Sequence, residues 1–153
     1  MYDRNPLYTT LSDKYRVKEY IEKKIGPGYV NRLYAVYKSA DEIEWDQLPA
    51  EYVIKTNHGA GMILYNDGNR KLDRDDAIRK LNRWTAKNFY QQGREWQYKN
   101  IEPRIIIEQR IVPETDYGVR DYKFYCFNGE PEMFYVNIDR YNNQTQLFLD
   151  MDW

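Results

Sequence analysis

Three successive β-branched residues, Ile105-Ile106-Ile107, run straight into a carboxylate, Glu108. Such a run offers water no polar face, so it reads as a buried strand. A carboxylate at its mouth then needs an assigned partner, because an unpaired buried charge is expensive. Around this run the chain falls into short apolar segments separated by turn residues: strands over residues 33–37, 52–56, 62–65, 121–127, 133–139 and, more weakly, 146–150. Asn66-Asp67-Gly68-Asn69 and Asn128-Gly129 read as turns, and residues 57–61, Asn-His-Gly-Ala-Gly, as a flexible glycine-rich hairpin tip.

Helical periodicity occurs in fewer places. Ser12 is placed to cap a helix from residue 13, with Val17, Tyr20, Ile21 and Ile25 along one face and Gly26-Pro27-Gly28 ending it. Ser39 and Glu42 have capping-box spacing ahead of a short helix over residues 43–47. Asp73 opens the strongest helix, whose stripe of Ala77, Ile78, Leu81, Trp84, Thr85 and Phe89 ends near Gly93. The order helix, strand, helix, hairpin, helix and then several strands is an α+β pattern.

The 153 residues suffice for one ordinary domain or a large part of one. With 31% charged residues and no apolar run of about 18, a membrane-spanning helix is not expected. One cysteine and one histidine give neither an internal disulfide nor a soft-ligand metal cluster, so the chemistry must rest on lysine, arginine and carboxylates. The formal net charge of −1 does not supply the field that non-specific nucleic-acid binding relies on, and aromatic residues at alternating strand positions read as core rather than as an RNA platform. The first residues lack the basic head and apolar centre of a signal peptide, which places the expected compartment in the cytoplasm.

Lys55 ends a strand, faces away from Ile54 and immediately precedes the loop carrying Gly59 and Gly61. A point positive charge beside glycines that admit backbone N–H groups is a phosphate-grip arrangement, and a surface lysine next to a hairpin tip has the same local signature. His58-Gly59-Ala60-Gly61 resembles the oxyanion loop of esterases, but no G-x-S-x-G elbow exists to supply a nucleophile. Cys126, between Tyr125 and Phe127, reads as a buried inert thiol. Asp121 and Lys123 share one face of their strand with Tyr125, where an ordinary salt bridge is the alternative to a ligand site.

These strings together resemble the ATP-grasp superfamily. Leu11-Ser12-Asp13-Lys14-Tyr15 is similar to its Asp-Lys helix start, and Tyr52-Val53-Ile54-Lys55-Thr56-Asn57-His58-Gly59-Ala60-Gly61 to its lysine strand and glycine loop. Arg94-Glu95-Trp96-Gln97-Tyr98-Lys99, Pro103-Arg104-Ile105-Ile106-Ile107-Glu108 and Asp121-Tyr122-Lys123-Phe124-Tyr125-Cys126-Phe127-Asn128-Gly129 are similar to the teichuronopeptide-biosynthesis branch, found in bacterial surface-polysaccharide gene clusters. The resemblance implies a partial ATP-grasp fold: two α+β lobes, approximately residues 11–107 and 108–153, flanking a nucleotide cleft. It places Lys14 and Lys55 on the phosphates of ATP with His58, Gly59 and Gly61 in the covering loop. Glu108 would accept from the adenine amino group, the backbone of Gln109, Arg110 and Ile111 would read the base edge, Asp121 would bind the ribose hydroxyls, and Lys123 would face the phosphates.

The implied reaction joins a carboxylate to an amine through an acyl phosphate, with ATP and Mg2+ as cofactors and surface-polymer precursors as substrates. The family's magnesium ligands lie in a strand and loop expected beyond Trp153, so the resemblance implies a fragment, inactive or nearly so. Two other readings stand beside it. Asp150-Met151-Asp152 fits the D-x-D pattern of metal-dependent glycosyltransferases. A non-catalytic nucleotide-binding module, self-associating through an open sheet edge at Phe148, Leu149 and Trp153, is the third.

Overall fold

A computed structural model of the chain describes residues 3–68, 71–113, 118–138 and 144–152. The mixed α and β architecture and the antiparallel pairing of its strands agree with the expected class. Two compact units divide after Arg110, one spanning Met1–Arg110 and the other Ile111–Trp153. The division keeps Glu108, Gln109 and Arg110 with the first unit.

In the first unit, helices α1 (Leu7–Ser12) and α2 (Arg16–Ile25) precede strand β1 (Leu33–Tyr37). Ser12 is therefore the last residue of a short helix and not a cap. Asp13 takes the capping role, its Oδ1 accepting from the amides of Tyr15 at 2.9 Å and Arg16 at 3.3 Å. Ser39 and Glu42 form the expected capping box, but on a single 3-10 turn, Ala40–Glu42, with a second turn at Trp45–Gln47 in place of one helix.

Strands β2 (Glu51–Thr56) and β3 (Ile63–Asp67) form the hairpin, with Asn66 and Asp67 still in the strand. Of the rest of the expected turn, Gly68 adopts φ 79° and Asn69 lies outside the described residues. Helix α3 (Arg74–Thr85) is capped by Asp73, whose carboxylate accepts from the Asp76 amide at 3.0 Å. It ends before Phe89, which stands instead at the start of the one-turn helix α4 (Tyr90–Gly93). Strand β4 (Ile105–Glu108) is wholly buried and lies inside the sheet order β1-β4-β2-β3.

The alternation of strand residues divides this sheet into two working faces. Tyr52, Ile54, Ile105 and Ile107 form the core with Ala40, Ile43 and Leu81, so α3 covers that face. Burying each large aliphatic there contributes about 1.5–3 kcal/mol. The opposite face carries Val53 and Lys55 across from Glu108 and Ile106.

The second unit is the three-stranded meander β5 (Asp121–Phe127), β6 (Glu130–Ile138) and β7 (Thr145–Asp150). Asn128 and Gly129 both adopt positive φ, 52° and 90°, which is the type I′ signature the Asn-Gly pair foretells. Phe134 is buried at the centre of the sheet, with Phe124 stacked on it at 5.1 Å and Tyr122 at 6.4 Å. On the other face Tyr125, Tyr135 and Phe148 form a row across the three strands. Cys126 is exposed, not buried as its flanking aromatics suggest, because it follows a register shift near the end of an edge strand. Leu147 and Phe148 on the β7 edge are exposed, and Trp153 lies outside the described residues. Among the described residues no helix is long and apolar enough to cross a membrane.

Candidate functional site

The candidate site grows from the register of β2 on β4. Lys55 stands opposite Ile106, so Glu108, two residues farther along β4, is its diagonal neighbour on the same face. Their side chains meet: Lys55 Nζ pairs with Glu108 Oε1. A second lysine closes on the same carboxylate from α2, with Lys18 Nζ 2.9 Å from Oε2. Glu108 is 2% exposed, so the charge that the isoleucine run delivers into the interior is compensated by two cations. Lys18 also donates to the Asn31 carbonyl at 3.1 Å, and its contact with Oε2 is not aligned as a hydrogen bond, which leaves that oxygen without a donor.

Lys18 was not singled out by sequence reasoning. It lies among the charges of an amphipathic helix, and the only local signal is its place four residues after Lys14. Lys14 Nζ donates to the Gly59 carbonyl, which brings the Asp-Lys junction onto the glycine tip. Burial holds the Lys14 ammonium below the ordinary lysine range, and the Lys55 charge pushes the same way, against the raising effects of Asp13 and Glu108. An anion arriving beside Lys14 and Lys55 would relieve the repulsion between them.

Asn57 holds this arrangement together. Its Nδ2 donates to Asp13 Oδ1 at 2.9 Å and to the Glu102 carbonyl at 3.0 Å, and its Oδ1 accepts from the Arg104 amide at 2.7 Å. Its backbone pairs with Arg104 and Lys14 as well. The side chain is fully buried and every one of its polar sites is used for structure.

The tip is less free than its composition suggests. Residues Asn57, His58 and Gly59 are buried, while Ala60 and Gly61 are exposed. The two glycines answer different needs. A Cβ on Gly59 would fall 2.2 Å from Met62 Cε and 2.9 Å from Phe89 Cδ2, so a side chain there would require both to shift. Gly61 adopts φ +72°, where L residues are strained.

His58 Nε2 lies 3.0 Å from the Lys87 carbonyl, which can only accept, so Nε2 carries the hydrogen and Nδ1 is a bare lone pair with no partner. Burial pushes the imidazole below its ordinary value, against the raising effect of the Lys87 carbonyl. Above about pH 6.5 the ring is neutral in both folded and unfolded chains, and the stability it contributes is fully present. As pH falls through that value the unfolded chain takes up a proton that the folded chain refuses, so stability declines, by at most about 1.4 kcal/mol per pH unit. Because the chain has one histidine, urea unfolding between about pH 5 and 7 reads this group directly, and His58→Gln is expected to flatten the profile. An unchanged slope in that variant would reject the assignment.

The remaining sequence-selected residues are placed as follows. The Gln109 amide donates to the Arg32 carbonyl at 2.8 Å, so this N–H is not free for a base edge, and Arg110 pairs with Glu51 at 3.2 Å. Ile111, half exposed, begins the second unit. In that unit Lys123 Nζ pairs with the Asp121 carboxylate on one face of β5. Asp150 Oδ1 accepts from the Asp152 amide at 3.1 Å, so the first acid of the D-x-D string caps its own turn. Among the described residues no three His, Cys, Asp or Glu side chains gather as a metal-ligand set.

A family model described as TupA-like ATPgrasp matches residues 1–153. No curated protein and no solved structure matches the chain. ATP-grasp membership implies ATP and magnesium binding in general, and a lysine cluster around a buried acceptor beside a glycine tip has the chemistry to meet a nucleotide. The chain belongs to the TupA-like ATP-grasp family.

Proposed function

We infer that the first unit holds the base and phosphates of ATP, and that the chain serves an ATP-dependent carboxylate-amine ligase of bacterial surface-polymer assembly. The observation that carries this reading is the gathering of Lys18 and Lys55 on the Glu108 carboxylate, with Lys14 latched to the adjoining glycine tip. With Lys18 set against Glu108 and Asp13 beside Lys14, the cluster keeps one positive charge in excess on a face the core does not use, which favours a polyanion. The Glu108 carboxylate is an acceptor at the buried end of the cluster, the chemistry that the exocyclic amine of adenine calls for. The roles of Asp121 on the ribose and Lys123 on phosphate stay with the second unit and rest on the resemblance alone.

In this reaction class a carboxylate oxygen attacks the γ-phosphorus and ADP leaves. An amine then attacks the acyl phosphate carbon, inorganic phosphate leaves and the nitrogen loses a proton. Such chemistry asks the protein chiefly for position and fixed positive charge. The lysines supply these, and Glu108 fixes where Lys55 points. Magnesium would supply further neutralisation of the phosphates in this class, and the described residues form no ligand set for it.

Calorimetric titration tests the reading. Wild-type chain is expected to bind ATP, and Lys55→Ala to bind it about tenfold to a hundredfold more weakly, the scale of one charge-assisted contact. Equal affinity would remove Lys55 from the phosphate site. Sugar transfer from a nucleotide sugar dependent on Asp150 and Asp152 would replace the ligase reading.

A further inference from the structure

The two lysines on Glu108 are not equivalent. Lys18 is tied twice, to the carboxylate at 2.9 Å and to the Asn31 carbonyl at 3.1 Å, and its side chain is 15% exposed. Lys55 is the more exposed of the two at 22%, and its one described partner is Glu108. The Lys55 ammonium keeps further N–H donors beyond the one on Glu108, and a polyanion that draws it away would leave a carboxylate whose side chain is 3% exposed with less compensation. That cost would fall on ligand affinity.

The geometry points to Lys18 as the standing counter-charge of Glu108, a positioning residue that keeps the buried carboxylate paired while Lys55 turns to an anionic ligand. This rests on the nucleotide reading above and adds to it a division of labour: Lys18 neutralises, Lys55 grips. Nothing about Lys18 touching the ligand is required. Its effect must therefore pass through Glu108, and that dependence separates the inference from a direct contact and from a merely structural role.

The test is a double-variant cycle on the whole chain, titrated with ATP and with inorganic tripolyphosphate, the latter having no base for Glu108 to read. Lys18→Met is expected to weaken both ligands about tenfold to a hundredfold, and Lys18→Arg, which keeps the charge, to stay within about threefold of wild type. In the Glu108→Gln background there is no buried charge to compensate, so adding Lys18→Met is expected to change tripolyphosphate affinity by less than about twofold. This arm also serves if Lys18→Met alone folds poorly. Equal binding by wild type and Lys18→Met overturns the inference alone, as does an undiminished loss in the Glu108→Gln background. Wild-type chain that binds neither ligand overturns the nucleotide reading and this inference with it.

Discussion

Asn57→Ala is expected to lower the unfolding free energy by about 3–5 kcal/mol, measured by urea denaturation followed through tryptophan fluorescence. The truncation orphans the part-buried Glu102 carbonyl and Arg104 amide and removes a donor from the buried Asp13 carboxylate. Asp13 Oδ1 keeps the Tyr15 and Arg16 amides, so the loss comes mainly from the other two groups. Asn57→Asp is expected to be at least as damaging, since it replaces the donor with a second carboxylate facing Asp13. A loss below about 1 kcal/mol for Asn57→Ala would mean that solvent satisfies the orphaned groups, although the Asn57 side chain itself is fully buried.

Glu108→Ala ranks second, with an expected loss of about 2–4 kcal/mol. Two ammonium groups would then face each other without their shared anion. The lysine side chains are 15% and 22% exposed, so water and salt screen part of the repulsion and hold the figure toward the lower end of buried-pair truncations. Thermal melts with added tripolyphosphate are expected to recover more stability in this variant than in wild type, because the polyanion replaces the missing charge. The same variant is expected to lose its preference for ATP over GTP, on the order of tenfold, since the proposed acceptor for the exocyclic amine is Glu108. Stability and base preference both unchanged would detach Glu108 from the site.

Much of the first unit's strand plan was legible in the sequence, because its signals are local. Ile105-Ile106-Ile107 could be satisfied only as a buried strand, and Asp73 had both a helix stripe behind it and amides within reach. The opposition of Lys55 to Ile54 followed from strand alternation, and the core did form on the Ile54 face. Other features depended on neighbours distant in sequence. Ser12 and Asp13 are both good caps, and what decided between them was a separate short helix through Ser12 and the Asn57 amide waiting for Asp13. Lys18 carries no mark that distinguishes it from the other charges on α2 until β4 is placed beside it. The glycines of the tip suggest freedom, whereas Gly59 is buried with Met62 and Phe89 packed close over its Cα. Cys126 was misread because flanking aromatics suggest burial even on a strand that lies at a sheet edge.

The bonds made by Asn57 reach across 44, 45 and 47 residues of chain, to Asp13, Glu102 and Arg104. Each closes a large loop, and the entropy of closure must be met before any of the bonds gives a return. The positive cluster therefore cannot ripen piecemeal from the hairpin outward. Its geometry is complete only when the amino-terminal helices, the hairpin and the isoleucine strand have all docked, so loosening any one of these segments is expected to undo the arrangement of the other two.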